Sequence, residues 1–176
     1  MAYFKDLREH IQLLEVNGLL WRIKRPIQSE TELMPLVRWQ FRGLVEEQRR
    51  AFLFENVVNR KGRHFGIPVL VGAMAASTQI YAAGMRCKPK EISEKWTQAQ
   101  RYPIPPTIVN TGIAQEEVYT GKELDETGLD EFPFTIDTPG FDGLMRTTAT
   151  HFISKDPETG IINICNYSAH VHARNR

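Results

Sequence analysis

With 22 basic against 21 acidic residues in a chain of 176, interleaved instead of clustered, the sequence carries no electrostatic footprint for nucleic acid. The length suffices for a real core in one large or two small domains, the two cysteines, Cys87 and Cys165, set no disulfide framework, and no stretch approaches a membrane span. The opening Met1-Ala2-Tyr3-Phe4-Lys5-Asp6-Leu7-Arg8 lacks the apolar run of a signal peptide, so the expectation is a cytoplasmic protein with neither membrane nor nucleic acid as partner.

Leu7, Ile11, Leu13 and Leu14 recur at helical spacing after Asp6, and Gly18 supplies a stop, which predicts an amphipathic helix over residues 6–16. A strand over residues 19–23 follows. Ser29-Glu30-Thr31-Glu32 ahead of Leu33, Leu36 and Val37 resembles a helix start, provided that Pro35 sits in the first turn, where a missing N–H is tolerated. Residues 51–57 and 67–71 read as short apolar strands joined by a basic loop around Asn59-Arg60-Lys61-Gly62. Gly72-Ala73-Met74-Ala75-Ala76-Ser77 then joins strand to helix. A phosphate at the helix N-terminus is one reading, but the G-x-G-x-x-G spacing is lacking, and a small-residue packing turn is preferred. Residues 77–85 read as a helix capped by Ser77, and residues 90–101 as a second, more polar one. Strands alternating with helices predict a mixed α/β layer.

Arg101-Tyr102-Pro103-Ile104-Pro105-Pro106 marks a boundary, because three prolines in four positions cannot continue a helix. It divides residues 1–106 from residues 107–176. Beyond it, short strand candidates are separated by Thr120-Gly121-Lys122, Thr127-Gly128 and Thr138-Pro139-Gly140-Phe141-Asp142-Gly143, the texture of a β-rich domain. The adjacent carboxylates Glu116-Glu117 and Asp125-Glu126 in this region read as solvated, not as an acid/base dyad. Residues 147–153 and 161–171, rich in β-branched and aromatic side chains, flank Asp156-Pro157-Glu158-Thr159-Gly160, which predicts a β-hairpin. Folded about Pro157-Glu158, that hairpin sets His151 opposite Ile164. His170 and His172 share a face but then lack a third zinc ligand. In the second strand, Ile162-Asn163-Ile164 puts a carboxamide where a sheet former would place another apolar side chain. Buried, such an amide needs a partner: backbone, water or a ligand.

The threonine-rich strand Arg146-Thr147-Thr148-Ala149-Thr150, then Asp-Pro-Glu-Thr-Gly, then Asn163-x-x-x-Tyr167 running into His-x-His-Ala-Arg-Asn-Arg, resembles the UbiD family of reversible decarboxylases. Asp6-Leu7-Arg8 with Leu19-Leu20-Trp21-Arg22-Ile23 resembles the family's N-terminal helix and strand. Leu53-Phe54-Glu55-Asn56-Val57 and Pro68-Val69-Leu70-Val71-Gly72 resemble its next two strands. The resemblance runs along the whole chain but covers only the N-terminal portion of a typical member. It implies an α/β (α+β) fold, a mixed α/β segment followed by the first part of a split β-barrel flavin-binding domain. It also implies prenylated FMN and a divalent metal, Mn²⁺ or Mg²⁺, with K⁺ as a further cation. The implied substrate is a small aromatic or α,β-unsaturated acid, and the implied assembly a homo-oligomer or a complex with a partner subunit.

Within that resemblance Asn163 is the carboxamide metal ligand, its carbonyl oxygen suited to a hard cation. On residues alone the preferred reading is a strand asparagine satisfied by backbone or water. Cys165, Asn166, Tyr167 and Ser168 align with the stretch that lies along the flavin ring, although a small buried hydrophobe is the commoner fate of a lone cysteine. Alternation puts Asn163, Cys165, Tyr167 and Ala169 on one face and Ile164, Asn166, Ser168 and His170 on the other, so one cofactor meets both sets only at a bend or through the backbone. Ser168 stands where the family carries an arginine, and a hydroxyl cannot make the bidentate pairing of a guanidinium with a carboxylate. Arg146 and Arg174 are near in sequence, with no motif placing them there. Three readings are open: a UbiD-like enzyme, a non-catalytic or truncated member that binds a partner chain, or an ordinary flavin-binding protein of similar barrel type. By itself the 176-residue chain is expected to be inactive, its hairpin edges open to pairing.

Overall fold

The computed structural model describes residues 3–126 and 128–176; Met1 and Ala2 of the opening and Thr127 of the Thr127-Gly128 turn lie outside the described residues. Helix α1 (Leu7–Val16) begins where expected, with the Asp6 carboxylate accepting the Glu9 N–H at 3.0 Å. It ends as the chain turns through Gly18 at φ 66°. Strand β1 (Leu20–Ile23) runs parallel to β3 (Ala51–Phe54), which pairs antiparallel with β5 (Val69–Val71), giving the order β1-β3-β5. As the middle strand, β3 is buried along its whole length.

The expected strand over residues 51–57 is two strands. The run breaks at Glu55-Asn56, and Val57–Val58 (β4) pairs instead with Ile27–Gln28 (β2) in a separate parallel pair. The break has a physical reason: the Glu55 carboxylate reaches Arg22 at 2.5 Å at the surface, and the Asn56 carbonyl receives the Ile27 N–H. Helix α2 (Leu33–Gly43) carries Pro35 in its first turn, as its sequence requires. Its N-cap residue is Glu32, which makes no side-chain capping bond; the Glu32 carboxylate accepts the Gln28 N–H, back along the chain. Helix α3 (Thr78–Gly84) is capped by Ser77, whose Oγ accepts the Ile80 N–H at 3.3 Å. Helix α4 (Ile92–Arg101) follows a 3-10 turn at Pro89–Glu91 and buries none of its residues.

The strand pleat divides the core in two. Phe52 and Phe54 pack with Ile27, Leu33, Val37 and Val57 on the α2 side, and Ala51 packs with Leu14, Ala73, Ala76 and Ile80 on the side of α1 and α3. A Cβ on Gly72, at φ 74°, would stand 3.2 Å from the Ala76 methyl, so the turn from β5 to α3 is a close-packing turn, as preferred from its sequence.

After Arg101 the chain is mostly irregular. It holds a short helix α5 (Glu123–Glu126) and 3-10 turns at Ile113–Gln115 and Leu129–Glu131. The strand candidates expected between residues 107 and 145 do not form; among the described residues that stretch holds only isolated bridges. Strands appear at β6 (Arg146–Lys155) and β7 (Ile162–His170), which pair antiparallel as the expected hairpin. The fold is thus mixed helix and sheet, with no closed barrel among the described residues. No helix among those residues is long and apolar enough to cross a membrane.

Candidate functional site

The hairpin loop organises around Asp156. Its carboxylate accepts the N–H groups of Glu158 at 2.8 Å and Thr159 at 2.7 Å, and Gly160 takes φ 73° to turn the chain into β7. The Thr159 N–H first, then that of Glu158, hold the Asp156 carboxyl below the usual aspartate range.

The loop closes between Asp156 and Ile161, which moves the turn centre one residue beyond Pro157-Glu158. His151 consequently faces Asn166, and Ile164 faces Ile153, which corrects the pairing expected from sequence. The histidines still do not converge: His170 lies opposite Arg146, and its ring meets that of His172 at 6.2 Å. Among the described residues no group of three His, Cys, Asp or Glu side chains is placed to hold a metal.

Asn163 is exposed, not buried, so it carries no desolvation penalty that a protein partner must offset. Its Nδ2 donates to Cys165 Sγ at 3.3 Å, and its Oδ1 accepts no hydrogen bond among the described residues. Asn163, Cys165 and Tyr167 follow one another along one face of β7. Tyr167 packs edge-on against Phe152, with ring centroids 5.9 Å apart. Cys165, half-buried and free, approaches the Phe152 carbonyl at 3.9 Å.

Ser168 sits opposite a β-bulge. Pairing steps from Thr147↔Ala169 to Thr150↔Tyr167, so Thr148 and Ala149 together oppose one residue. Thr147 Oγ1 spans the irregularity, accepting the Ala169 N–H at 3.2 Å and lying 3.5 Å from the Ala169 carbonyl. The extra residue lies on β6, so β6 is the strand that bends there, directly opposite Ser168.

Both arginines near Ser168 in sequence have carboxylate partners. Arg146 pairs with Asp137 at 3.5 Å. Arg174 pairs with Asp130 at 2.8 Å and donates to the carbonyls of Asp125 and Glu126, and this hydrogen bond from Arg174 lowers the Asp130 pKa. Glu116, Glu117, Asp125 and Glu126 are exposed, consistent with solvated pairs. The bulge and the Arg146–Asp137 pair escaped the sequence reading, since an extra strand residue leaves no mark in a threonine-rich run.

A divalent cation and a flavin fit these residues in part. The unengaged Asn163 carbonyl is one hard ligand, where Mg²⁺ or Mn²⁺ prefers about six oxygens. The strand beside it offers backbone, a thiol, a carboxamide and a phenol to a planar ring.

Residues 11–100 match the family described as the 3-octaprenyl-4-hydroxybenzoate carboxy-lyase N-terminal domain. An uncharacterised protein of Synechocystis is 28% identical over 193 residues, covering 97% of this chain and 36% of that protein. Three solved structures share the fold. HmfF from Pelotomaculum thermopropionicum, a UbiD-class enzyme in complex with FMN, has a TM-score of 0.78 at 23% identity, over 96% of this chain and 35% of its own. An evolved dimeric form of HmfF is in complex with prFMN, at a TM-score of 0.73 and 24% identity, over 97% and 37%. The apo 3,4-dihydroxybenzoic acid decarboxylase of Enterobacter cloacae reaches 0.79 at 23%, over 98% of this chain and 36% of its own. The chain thus spans little more than a third of the length of these relatives. By its sequence match over residues 11–100, in a fold shared with UbiD-class enzymes, the chain belongs to the UbiD family of carboxy-lyases.

Proposed function

We propose that this chain is part of a cytoplasmic UbiD-type enzyme that reversibly decarboxylates a small aromatic or α,β-unsaturated acid with prenylated FMN, as a homo-oligomer or with a partner subunit. Residues 107–176 open its split-barrel flavin-binding domain. The observation that supports this reading is the exposed, unengaged carbonyl of Asn163 on β7 of a UbiD-family chain.

Prenylated FMN, when bound, supplies the electron sink for the carbanion left as CO₂ departs. The chain's own residues bind and orient. Asn163 Oδ1 is one ligand to Mn²⁺ or Mg²⁺. Cys165, Asn166, Tyr167 and the backbone around Ser168 line the ring. The Ser168 hydroxyl offers a single neutral hydrogen bond to the acid, weaker than a bidentate guanidinium pairing.

Asn163→Ala in the complete protein tests this. Because the side chain is exposed, stability should stay within about 0.5 kcal/mol, while metal affinity should fall by about tenfold or more, with flavin retention falling alongside. Metal analysis and flavin absorbance of the purified variant read both, and unchanged occupancy of both would overturn the assignment.

Ser168 favours a second reading, a non-catalytic or truncated member that binds a partner chain. Ser168→Arg separates the two: an enzyme should change its substrate KM or acid preference more than its flavin affinity. A non-catalytic member gains no turnover. Collapse of flavin binding alone would place Ser168 against the ring.

A further inference from the structure

The hairpin is attached to the α/β layer through a chain of charged and polar contacts that spans about a hundred residues of sequence. Arg38, half-buried on α2, donates through Nη2 to the Asp137 carbonyl and to Thr138 Oγ1, both at 2.9 Å. The Asp137 carboxylate faces Arg146 Nη1 at 3.5 Å, with the two side chains 18% and 29% exposed. Arg146 opens β6, donates its backbone N–H to the Thr135 carbonyl at 3.0 Å, and pairs with His170 across the ladder. The next residue, Thr147, is bonded to Ala169, and the bulge opposite Ser168 comes directly after it.

We propose that Arg38, Asp137 and Arg146 form a brace, hydrogen-bonded at the Arg38 end and ionic at the Arg146 end, that fixes the β6–β7 hairpin, and with it Asn163 and Ser168, against the α/β layer. They are positioning residues for the site. The energetics favour a geometric role over a cohesive one. Arg146 Nε is buried with no partner among the described residues, and an unmade hydrogen bond in that position costs stability. Half-buried ion pairs also contribute little after desolvation. What the contacts supply is direction: Arg38 Nη2 holds the Asp137 carbonyl and Thr138 Oγ1 while Arg146 Nη1 faces the Asp137 carboxylate, so the turn before β6 is held from two sides and has little freedom to pivot. That the positioned strand is a flavin and metal site rests on the function proposed above; that the brace sets its place does not.

Two spin labels test the brace directly, one at Arg42→Cys on α2 and one at Ile164→Cys on β7, in the full chain with Cys87→Ser and Cys165→Ala. The parent should give one narrow distance distribution. Asp137→Asn and Arg38→Gln should each broaden or shift it, while the far-UV signal and thermal midpoint of the α/β layer stay put. Arg38→Lys should recover part of the sharpness. An unchanged distribution in both Asp137→Asn and Arg38→Gln overturns the proposal. If Asp137→Asn loses its helical signal outright, Arg38→Gln alone decides, since that side chain lies at the far end of the brace. In the natural-cysteine background of the complete protein, FMN affinity should fall by about tenfold in Asp137→Asn, as expected when a site loosens by a fraction of an ångström. Broadened distances with unchanged FMN affinity would keep the brace and sink the flavin reading of β7.

Discussion

In the α/β layer, Phe54, Leu14, Ile27, Leu33 and Ile80 are fully enclosed, packed on the two faces of one short sheet; in the hairpin, Phe152, Ile153, Ile162, Ile164 and Tyr167 all meet solvent. Both regions are β-branched and aromatic in composition, so composition does not separate them. What separates them is the number of layers: the first sheet has helices on both sides, whereas two strands alone bury little on either face. Stability resides in the first region, and the candidate chemistry is carried on the second, a division seen wherever binding segments are drawn from the less stable end of a fold.

The comparison breaks most readily at Phe54. Phe54→Ala removes a fully enclosed ring that stacks on Phe52 at 5.5 Å and should cost about 3–5 kcal/mol in denaturant unfolding. Ile164→Ala, on a side chain 60% exposed, should stay within about 0.5 kcal/mol. Equal costs would mean that the hairpin is part of the cooperative core.

Gln40 gives a smaller effect in the same region. Fully buried on α2, it copies a neighbouring strand: Nε2 donates to the Arg50 carbonyl at 3.0 Å and Oε1 accepts the Arg50 N–H at 2.9 Å, just before β3 begins. Gln40→Ala leaves both backbone groups without partners and should cost about 1–3 kcal/mol. An unaltered denaturation midpoint would show that water replaces the amide there.

The two regions also differ in how much of them is legible in the sequence. Asp6 and Ser77 announce their helices because a capping side chain acts within three residues, and Pro35 falls where a proline can open a helix. The hairpin is legible from Asp156 to Gly160 for the same local reason. The parallel pair of Ile27–Gln28 with Val57–Val58 is not, since two-residue strands have no period to read. The expected register is off because the loop's closing bond joins Asp156 to Ile161, a choice between turns that residue types alone do not make. Asn163 and Ser168 are visible as departures from an apolar strand and from the family pattern. Their setting, an exposed carboxamide and a bulge, depends on pairing across the hairpin and so lies beyond a reading of one strand.

The smallest effect sharpens the comparison at one matched pair of carboxylates. Asp6 in the α/β layer and Asp156 in the hairpin are both held below the usual aspartate range by backbone N–H donors, Glu9 for the first and Thr159 then Glu158 for the second. Hydrogen bonds to the charged form lower the folded pKa relative to the unfolded one. Each contribution is therefore complete above the unfolded value and is lost as pH falls through the depressed folded value. Both groups are exposed, so each acts on its own turn more than on the whole molecule. Backbone amide shifts of Glu158 and Thr159 should titrate together, with a midpoint below that of an unstructured aspartate, and should go flat in Asp156→Asn. The Glu9 amide should do the same for Asp6. At acid pH the two regions should part company. Loss of the Asp156 bonds should speed amide exchange at the loop and the adjoining ends of β6 and β7, because little else holds them. Loss of the Asp6 bond should leave α1 protected, since Leu14 remains enclosed against Ile80 and Ala76. Equal acid loosening of the two turns would show that packing behind the cap makes no difference, and that the hairpin is as firmly held as the layer.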